Sequence, residues 1–153
     1  ADKLCRLWSV ASGDALRTFE GHTHHVLNIA WQDNGQRLAT ASADQTIKVW
    51  KVDSGEQQRT IAGFSQEVSA LQFVGDTPQM VSAANDGSVK LLNTDDGQTV
   101  RAFAGASDAL YAITVSADNQ RVTVGGQAGV VWSWNIADAQ SISMPSLTQA
   151  TRQ

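Results

Sequence analysis

Cysteine, proline and positive charge are scarce in this chain of 153 residues, and each shortage excludes a class of protein. A single cysteine excludes an intramolecular disulfide framework and a cysteine-rich zinc site. Only 2 prolines accompany 12 glycines, so we expect many turns without a proline-rich linker. The net charge of −4 gives no general attraction to nucleic acid or to an anionic membrane surface, so neither partner is expected.

Long hydrophobic runs are also missing. No apolar stretch approaches the length of a membrane span and no signal peptide is recognisable, so we expect no membrane insertion. The compartment stays open between the cytoplasm, as the default, and a bacterial periplasmic or exported location. Hydrophobic residues make up 42% of the chain, which is enough for a packed core. The chain begins at Ala1 and not at a methionine, which favours a segment or processed piece of a longer protein.

A repeat with a period of 42 residues runs through the sequence without a gap. It relates the residues that end four short alternating runs, and also glycines and aspartates in the connections between runs. A period of this size is typical of architectures built from stacked supersecondary units. The related residues are Trp8, Trp50, Leu92 and Trp134; Gly21, Gly63 and Gly105; and Asp2, Asp44 and Asp86.

Each period has the pattern of four short β-strands. In the clearest period the strands are predicted at 26–31, 37–42, 46–52 and 57–62. Turn sequences such as DNG, NDG and DDG separate them, because Asn, Asp and Gly tolerate the backbone angles of tight hairpins. One small antiparallel sheet cannot bury both of its faces, so neighbouring repeats must stack. The fold class is therefore predicted to be all-β.

At these residues the sequence resembles the WD-repeat β-propeller family. The period, the GH dipeptide at residues 21–22, the turn aspartate and the tryptophan-ended strand all match. The resemblance implies four-stranded blades whose strands are lettered a to d from the inside outwards. It also implies a hydrogen-bonded tetrad in the first full repeat, formed by His22, Thr40, Asp44 and Trp50, with Ser42 as the alternative to Thr40.

The later repeats depart from that pattern. The second keeps Ser82 and Asp86 but has Phe64 at the histidine position and Leu92 at the tryptophan position. The third keeps only Trp134. We therefore expect one complete tetrad, with apolar packing between sheets holding the later blades.

The resemblance implies about three and a half blades. Residues 1–20 form strands c and d of a half-blade, and three repeats follow at about 22–62, 64–104 and 106–146. The tail, 147–153, follows a last outer strand expected near 141–145. Closed propellers have 4–8 blades, so the ring is expected to be completed by the remainder of the same full-length protein or by another chain.

No catalytic residue, metal site or cofactor is predicted. The HxHH cluster of His22, His24 and His25 suggests three zinc ligands, but the interpretation we favour places His22 in the tetrad and the other two in a solvent-facing loop. No strained nucleophile motif such as GxSxG is present. Trp31 is expected in the core, at a position shared with Phe73 and Val115.

The favoured function is a non-catalytic scaffold for a protein or peptide partner, bound by loops at one end of the blades. Two other classes stay open: an accessory or sensor propeller of a larger bacterial enzyme or redox protein, and a small-ligand or metal binder. The expected contact residues differ from blade to blade while the framework repeats. They are His24, His25, Ala43, Ser65, Gln66, Glu67, Asn85, Ser107, Asp108 and Gln127.

Overall fold

This computed structural model describes residues 2–142 of the chain. They contain 13 antiparallel β-strands joined by turns and loops. They form four sheets of two, four, four and three strands, and within each sheet the strands lie in chain order. The half-blade contains β1 (Cys5–Trp8) and β2 (Ala15–Phe19). Blade 1 contains β3 (Val26–Trp31), β4 (Arg37–Ser42), β5 (Ile47–Lys51) and β6 (Gln57–Ile61). Blade 2 contains β7 (Val68–Phe73), β8 (Gln79–Ala84), β9 (Val89–Asn93) and β10 (Thr99–Phe103).

Blade 3 contains β11 (Leu110–Val115), β12 (Arg121–Gly126) and β13 (Val131–Asn135). Ser141 forms an isolated bridge with Trp134, at the start of the outer strand expected near 141–145. Residues 143–153, which include the remainder of the range predicted for that strand and the tail 147–153, lie outside the described residues. Within residues 2–142 no helix is long and apolar enough to cross a bilayer. The all-β, open-ring architecture is thus confirmed.

Strand alternation decides which side chains fill the gaps between sheets. On β4, Leu38 faces the half-blade and Ala39 faces blade 2, because successive residues point to opposite faces. Leu38 and Trp50 pair across β4 and β5 and pack on Cys5 and Phe19 of the half-blade. Two larger apolar clusters fill the gaps between blades 1 and 2 and between blades 2 and 3. The fold is therefore stabilised mainly by the burial of apolar side chains between neighbouring sheets.

Trp31 is not in the core, and that prediction was wrong. Its side chain is 43% exposed, whereas Phe73, one period later, is 2% exposed. Phe73 packs against the small residues of β4 in the preceding blade. Within residues 2–142 the half-blade has no strands at the corresponding place, so the face of β3 that carries Ile29 and Trp31 stays exposed there.

Arginines 42 residues apart join neighbouring blades at the end opposite the tetrad. Arg17 donates to the carbonyl oxygens of Asp53 at 2.5 Å and Ser54 at 2.8 Å, and Arg59 donates to those of Asp95 and Asp96. Each arginine lies against a turn glycine with positive φ, Gly55 or Gly97, where an added Cβ would be 2.8 or 3.0 Å from the arginine Cδ.

The third pair in this series, Arg101 and Ala139, is different. Ala139 takes the place of the glycine, with φ 58, and within residues 2–142 Arg101 makes no such pair of bonds, its Nε being buried without a partner. Blade 3 is therefore attached to blade 2 without the arginine contact that joins the earlier blades.

Candidate functional site

A buried hydroxyl group lies at the centre of the polar network in blade 1. Trp50 Nε1 donates to Thr40 Oγ1 at 2.9 Å, and His22 Nε2 lies 2.7 Å from the same oxygen. His22 Nδ1 lies 2.8 Å from Asp44 Oδ2. Since a carboxylate only accepts, Nδ1 donates, and a neutral imidazole then accepts the Thr40 proton at Nε2. A single chain of hydrogen bonds runs from strand c through strand b to the two loops.

Ser42, the alternative hydroxyl, has a different role. It lies two residues from Thr40 on the same strand, but its Oγ accepts from the amide of Asp44 at 3.1 Å. Ser42 therefore shapes the b–c turn, while Thr40 contacts the tryptophan and the histidine.

Asp44 fastens two loops together. Burial by itself would raise the pKa of its carboxyl group, but hydrogen bonds from Thr46, from the amide of Thr23 and from His22 outweigh burial and lower the pKa from 3.8 to about 2. Its Oδ1 accepts from the amide of Thr46 at 3.0 Å and its Oδ2 from the amide of Thr23 at 2.9 Å. The ionised carboxylate therefore fixes the loop before strand a to the turn between strands b and c.

Blade 2 keeps only part of this network. Asp86 Oδ2 accepts from the hydroxyl of Ser65 at 2.6 Å and takes no bond from a histidine, because Phe64 occupies that position. Burial tends to raise the pKa of Asp86, yet the bonds from Ser65 and Ser88 bring it to about 2. The hydroxyl of Ser82, equivalent to Thr40, is buried without a partner.

Blade 3 replaces the network with backbone contacts. Trp134 Nε1 donates to the carbonyl oxygen of Ala104 at 3.0 Å. The carboxylate of Asp108 accepts from the amide of Ala128, which stands where the other blades have the turn aspartate. The loops of all three blades are thus tied down by different side chains.

We call the end of the blades that carries the d–a loops and the b–c turns the upper face. In each blade the b–c turn donates a backbone hydrogen bond to the d–a loop: Ala43 to His25, Asn85 to Glu67 and Gln127 to Ala109, each at 2.9 Å. The structure thereby brings the predicted contact positions of each blade next to each other.

Most of the predicted contact residues are exposed on the upper face. His24, His25, Ser65, Gln66, Ser107 and Gln127 are exposed, and Ala43, Glu67, Asn85 and Asp108 are half-buried. The rings of His24 and His25 lie 4.4 Å apart, and Asn85 Nδ2 donates to Glu67 Oε2 at 3.2 Å. Blade 1 therefore presents imidazoles, whereas blades 2 and 3 both present hydroxyl, amide and carboxylate groups.

The three histidines do not converge on one point. His22 is buried and both of its ring nitrogens are occupied by Asp44 and Thr40, while His24 and His25 face solvent. Within residues 2–142 no group of three or more His, Cys, Asp or Glu has the geometry to hold a metal ion. The arrangement can hydrogen-bond and pack against a partner.

Tyr111 was missed by the sequence reasoning. It is half exposed on the inner strand of blade 3, and its hydroxyl lies 3.4 Å from Gln127 Oε1. It is the only tyrosine in the chain and stands where the other repeats have Leu27 and Ser69. That substitution at a repeated position is the signal that identifies it as part of the upper face.

Repeated four-stranded blades, stacked by apolar clusters with their inner strands adjacent, define a β-propeller. The family description "WD domain, G-beta repeat" matches residues 13–51 and 55–93. The chain belongs to the WD-repeat family.

Two solved structures are similar along most of the chain. One is described as the structure of U3-55K and the other as the crystal structure of the RRP9 WD40 repeats. Each is 30% identical with a TM-score of 0.85 over 92% of this chain, and the match covers 45% and 44% of those chains, respectively. This chain therefore spans less than half of either structure.

A shorter match is with a curated protein from Oryza sativa subsp. japonica, the chromatin assembly factor 1 subunit FAS2 homolog. It is 38% identical over 45 residues, which is 29% of this chain and 9% of that protein. WD-repeat propeller domains generally mediate protein interactions, and this one relative is named as a subunit.

Proposed function

We propose that this chain is a non-catalytic interaction scaffold that binds a protein or peptide partner through the upper face. The observation that carries the proposal is the combination of fixed backbone and variable chemistry. The same loop-to-turn hydrogen bond recurs in all three blades, while the side chains beside it change from His25 to Glu67 to Ala109. A rigid frame with different groups on each blade presents an asymmetric surface, as selective binding requires.

The exposed groups favour a partner with both polar and aromatic contacts. His24 and His25 offer two adjacent flat rings, and Tyr111 offers a third about half exposed. The carboxylates of Asp44 and Asp86 are already engaged by their own loops and hold the frame. Exposed aromatic rings surrounded by polar groups are typical of protein interfaces.

The test compares two double variants with the same chemical changes at opposite ends of the blades. Gln66→Arg with Gln127→Glu alters the upper face, and Gln98→Arg with Gln140→Glu alters the c–d turns at the lower end; all four residues are exposed. Affinity for the partner isolated with the wild-type chain is measured by calorimetry. We expect the upper-face variant to lose at least about tenfold in affinity, or about 1.4 kcal/mol, and the lower variant to bind normally. Equal binding by both would contradict the proposal.

A further inference from the structure

A cavity of about 420 Å³ lies between blades 2 and 3 at the lower end, where the chain turns between strands a and b and between strands c and d. Two of the residues that line it are apolar and nearly buried: Val74 is 5% exposed and Ile136 is 7% exposed. Three others, Gln79, Asn119 and Asn135, carry side-chain amides. The cavity therefore combines an apolar floor with amide groups around it.

The backbone around this cavity is held in the same way as in the other blades. In each blade the start of the c–d turn donates one backbone hydrogen bond to the a–b turn. These bonds run from Val52 to Gln36 at 3.0 Å, from Thr94 to Pro78 at 2.8 Å and from Ile136 to Gln120 at 2.8 Å. The gaps between blades therefore differ in their side chains and not in their frame.

Polar side chains cross the equivalent gap between blades 1 and 2. Arg37 Nη1 donates to Thr94 Oγ1 at 3.1 Å and to Asp95 Oδ1 at 2.6 Å. Gln32 is buried, and its Nε2 donates to the carbonyl oxygens of Asp76 and Thr77 at 3.0 Å each. These bonds join the two blades where blades 2 and 3 leave a cavity.

One period later, all four of the side chains that cross the gap or accept these bonds are replaced. Val74, Gln79, Ile136 and Ala137 stand one period after Gln32, Arg37, Thr94 and Asp95, respectively. Of the eight residues that line the cavity only Asp138 is charged, and none is aromatic. A phosphate or carboxylate therefore finds no cation there, and a nucleobase finds no ring on which to stack.

We propose that this cavity binds an extended peptide segment through one branched aliphatic side chain, such as that of leucine. The side chain packs on Val74 and Ile136 and removes their remaining apolar surface from water. The amides of Gln79, Asn119 and Asn135 pair with the peptide groups on either side, because an amide offers a donor and an acceptor as a peptide group does. The cavity lies at the opposite end of the blades from the upper face, so this proposal and the proposed function stand or fall separately.

The probe is blocked leucine, N-acetyl-leucine N-methylamide, which supplies the side chain and two peptide groups without a charge. Its binding is followed by NMR at the methyl resonances of Val74 and Ile136, and the ring resonances of Tyr111 report on the upper face. We expect saturable shifts at Val74 and Ile136 only, with a dissociation constant on the order of 1 mM, as befits a ligand of this size. Blocked alanine is expected to bind at least about fivefold more weakly, because it buries less apolar surface.

Three results would overturn the assignment. The first is the absence of saturable shifts at Val74 and Ile136. The second is binding that shifts Tyr111 instead. The third is tighter binding of blocked arginine than of blocked leucine, which would show that Asp138 and not the apolar floor selects the ligand.

The chain itself suggests a variant that fills the cavity. Gln79→Arg with Ala137→Asp rebuilds at this gap the pair that Arg37 and Asp95 form one period earlier. We expect this variant to bind blocked leucine at least about tenfold more weakly. The reverse exchange, Arg37→Gln with Asp95→Ala, leaves the cavity unchanged and is expected to bind as the parent does. Undiminished binding by the filled variant, or an equal loss in both variants, would overturn the site.

Asn119→Gly tests the amide groups without straining the backbone. Asn119 has φ 59, a conformation that glycine adopts readily, and Gly35 stands at the equivalent position of blade 1 with φ 73. We expect this variant to keep the thermal stability of the parent and to bind blocked leucine about threefold more weakly or worse, because one amide partner is lost. An unchanged dissociation constant would overturn the pairing of Asn119 with the peptide groups.

Discussion

Two equivalent hydroxyl groups in this protein have opposite environments. Thr40 Oγ1 is buried with the Trp50 indole and the His22 imidazole as partners. Ser82 Oγ, one period later, is buried with none, because Phe64 and Leu92 replace the histidine and tryptophan. A buried polar group stabilises only when its partners are present, so the same chemical change has different consequences at the two positions.

Thr40→Val and Ser82→Ala test this difference at the scale of single residues. Thr40→Val leaves two buried groups unpaired, and we expect the free energy of unfolding to fall by about 1–3 kcal/mol. Ser82→Ala removes a hydroxyl that has no partner, so we expect no loss or a gain of up to about 1 kcal/mol. Urea denaturation of the two variants gives both values. A similar loss in both would mean that the Thr40 network contributes nothing specific.

The stability of blade 1 depends on pH through Asp44. Its folded pKa, about 2, is below the ordinary 3.8, so its ionisation stabilises the fold above that ordinary value and the contribution is lost as the pH falls towards 2. We expect Asp44→Asn to cost about 2 kcal/mol at pH 7 and about half as much at pH 3. The measurement is urea denaturation at both pH values.

The control for Asp44→Asn is Asp33→Asn, which changes an exposed carboxylate at the other end of the blade. It is expected to have little effect at either pH. A cost of Asp44→Asn that is the same at pH 3 as at pH 7 would show that the carboxylate charge is not what holds the two loops together.

The sequence pattern favours Thr40 as the hydroxyl of the tetrad and leaves Ser42 as the alternative, because it does not determine the strand register. Residues two apart on a strand point to the same face, so both hydroxyls face the half-blade side. The choice depends on which rung lies opposite which residue of β5, and a bulge between Val26 and Asn28 shifts the register beside it. The register is a property of the folded sheet, and the presence of a serine or threonine at one position does not reveal it.

At the scale of elements, the connections between blades depend on a turn glycine. Gly97 has φ 77 and leaves room for the Arg59 side chain, which binds the carbonyl oxygens of the following turn. Ala139 holds the equivalent position with φ 58, which costs a residue with a Cβ about 1–2 kcal/mol. The sequence shows the replacement, but only the structure shows that an interblade contact is missing with it.

Gly97→Ala and Ala139→Gly are expected to change stability in opposite directions. Gly97→Ala introduces a strained backbone and pushes against Arg59, so we expect a loss of about 2 kcal/mol. Ala139→Gly relieves the strain and opens space for Arg101, with a gain of up to about 1 kcal/mol after the higher entropy of the unfolded chain is counted. Thermal unfolding followed by circular dichroism measures both, and a loss of stability in both variants would contradict this explanation.

At the scale of the whole molecule, the position in the stack determines what an aromatic residue contributes. Trp31 and Phe73 are equivalent in sequence, and sequence reasoning placed both in the core. Among residues 2–142 the sheet beside β3 has two strands, whereas the sheet beside β7 has four, so Phe73 has a complete blade to pack against and Trp31 does not. Local periodicity predicts which face a residue occupies, but not whether another sheet covers that face.

The variants Trp31→Ala and Phe73→Ala compare the contribution of an uncovered aromatic ring with that of a covered one at equivalent positions. Phe73→Ala removes a fully buried ring, and we expect a loss of about 3–5 kcal/mol in the free energy of unfolding. Trp31→Ala removes a ring that is half in solvent, with an expected loss of about 1 kcal/mol or less. Comparable losses at the two positions would show that the chain alone already covers the face of β3.

The central claim is that partners bind the upper face, and hydrogen exchange of the complex tests it most directly. Amide exchange is followed by mass spectrometry in the chain alone and with the partner isolated through it. We predict protection of the d–a loops and b–c turns, at residues 20–25, 43–46, 62–67, 85–88, 104–109 and 127–130. Exchange at the lower turns 33–36 and 53–56 is predicted to stay unchanged. Protection confined to the lower turns would contradict the claim.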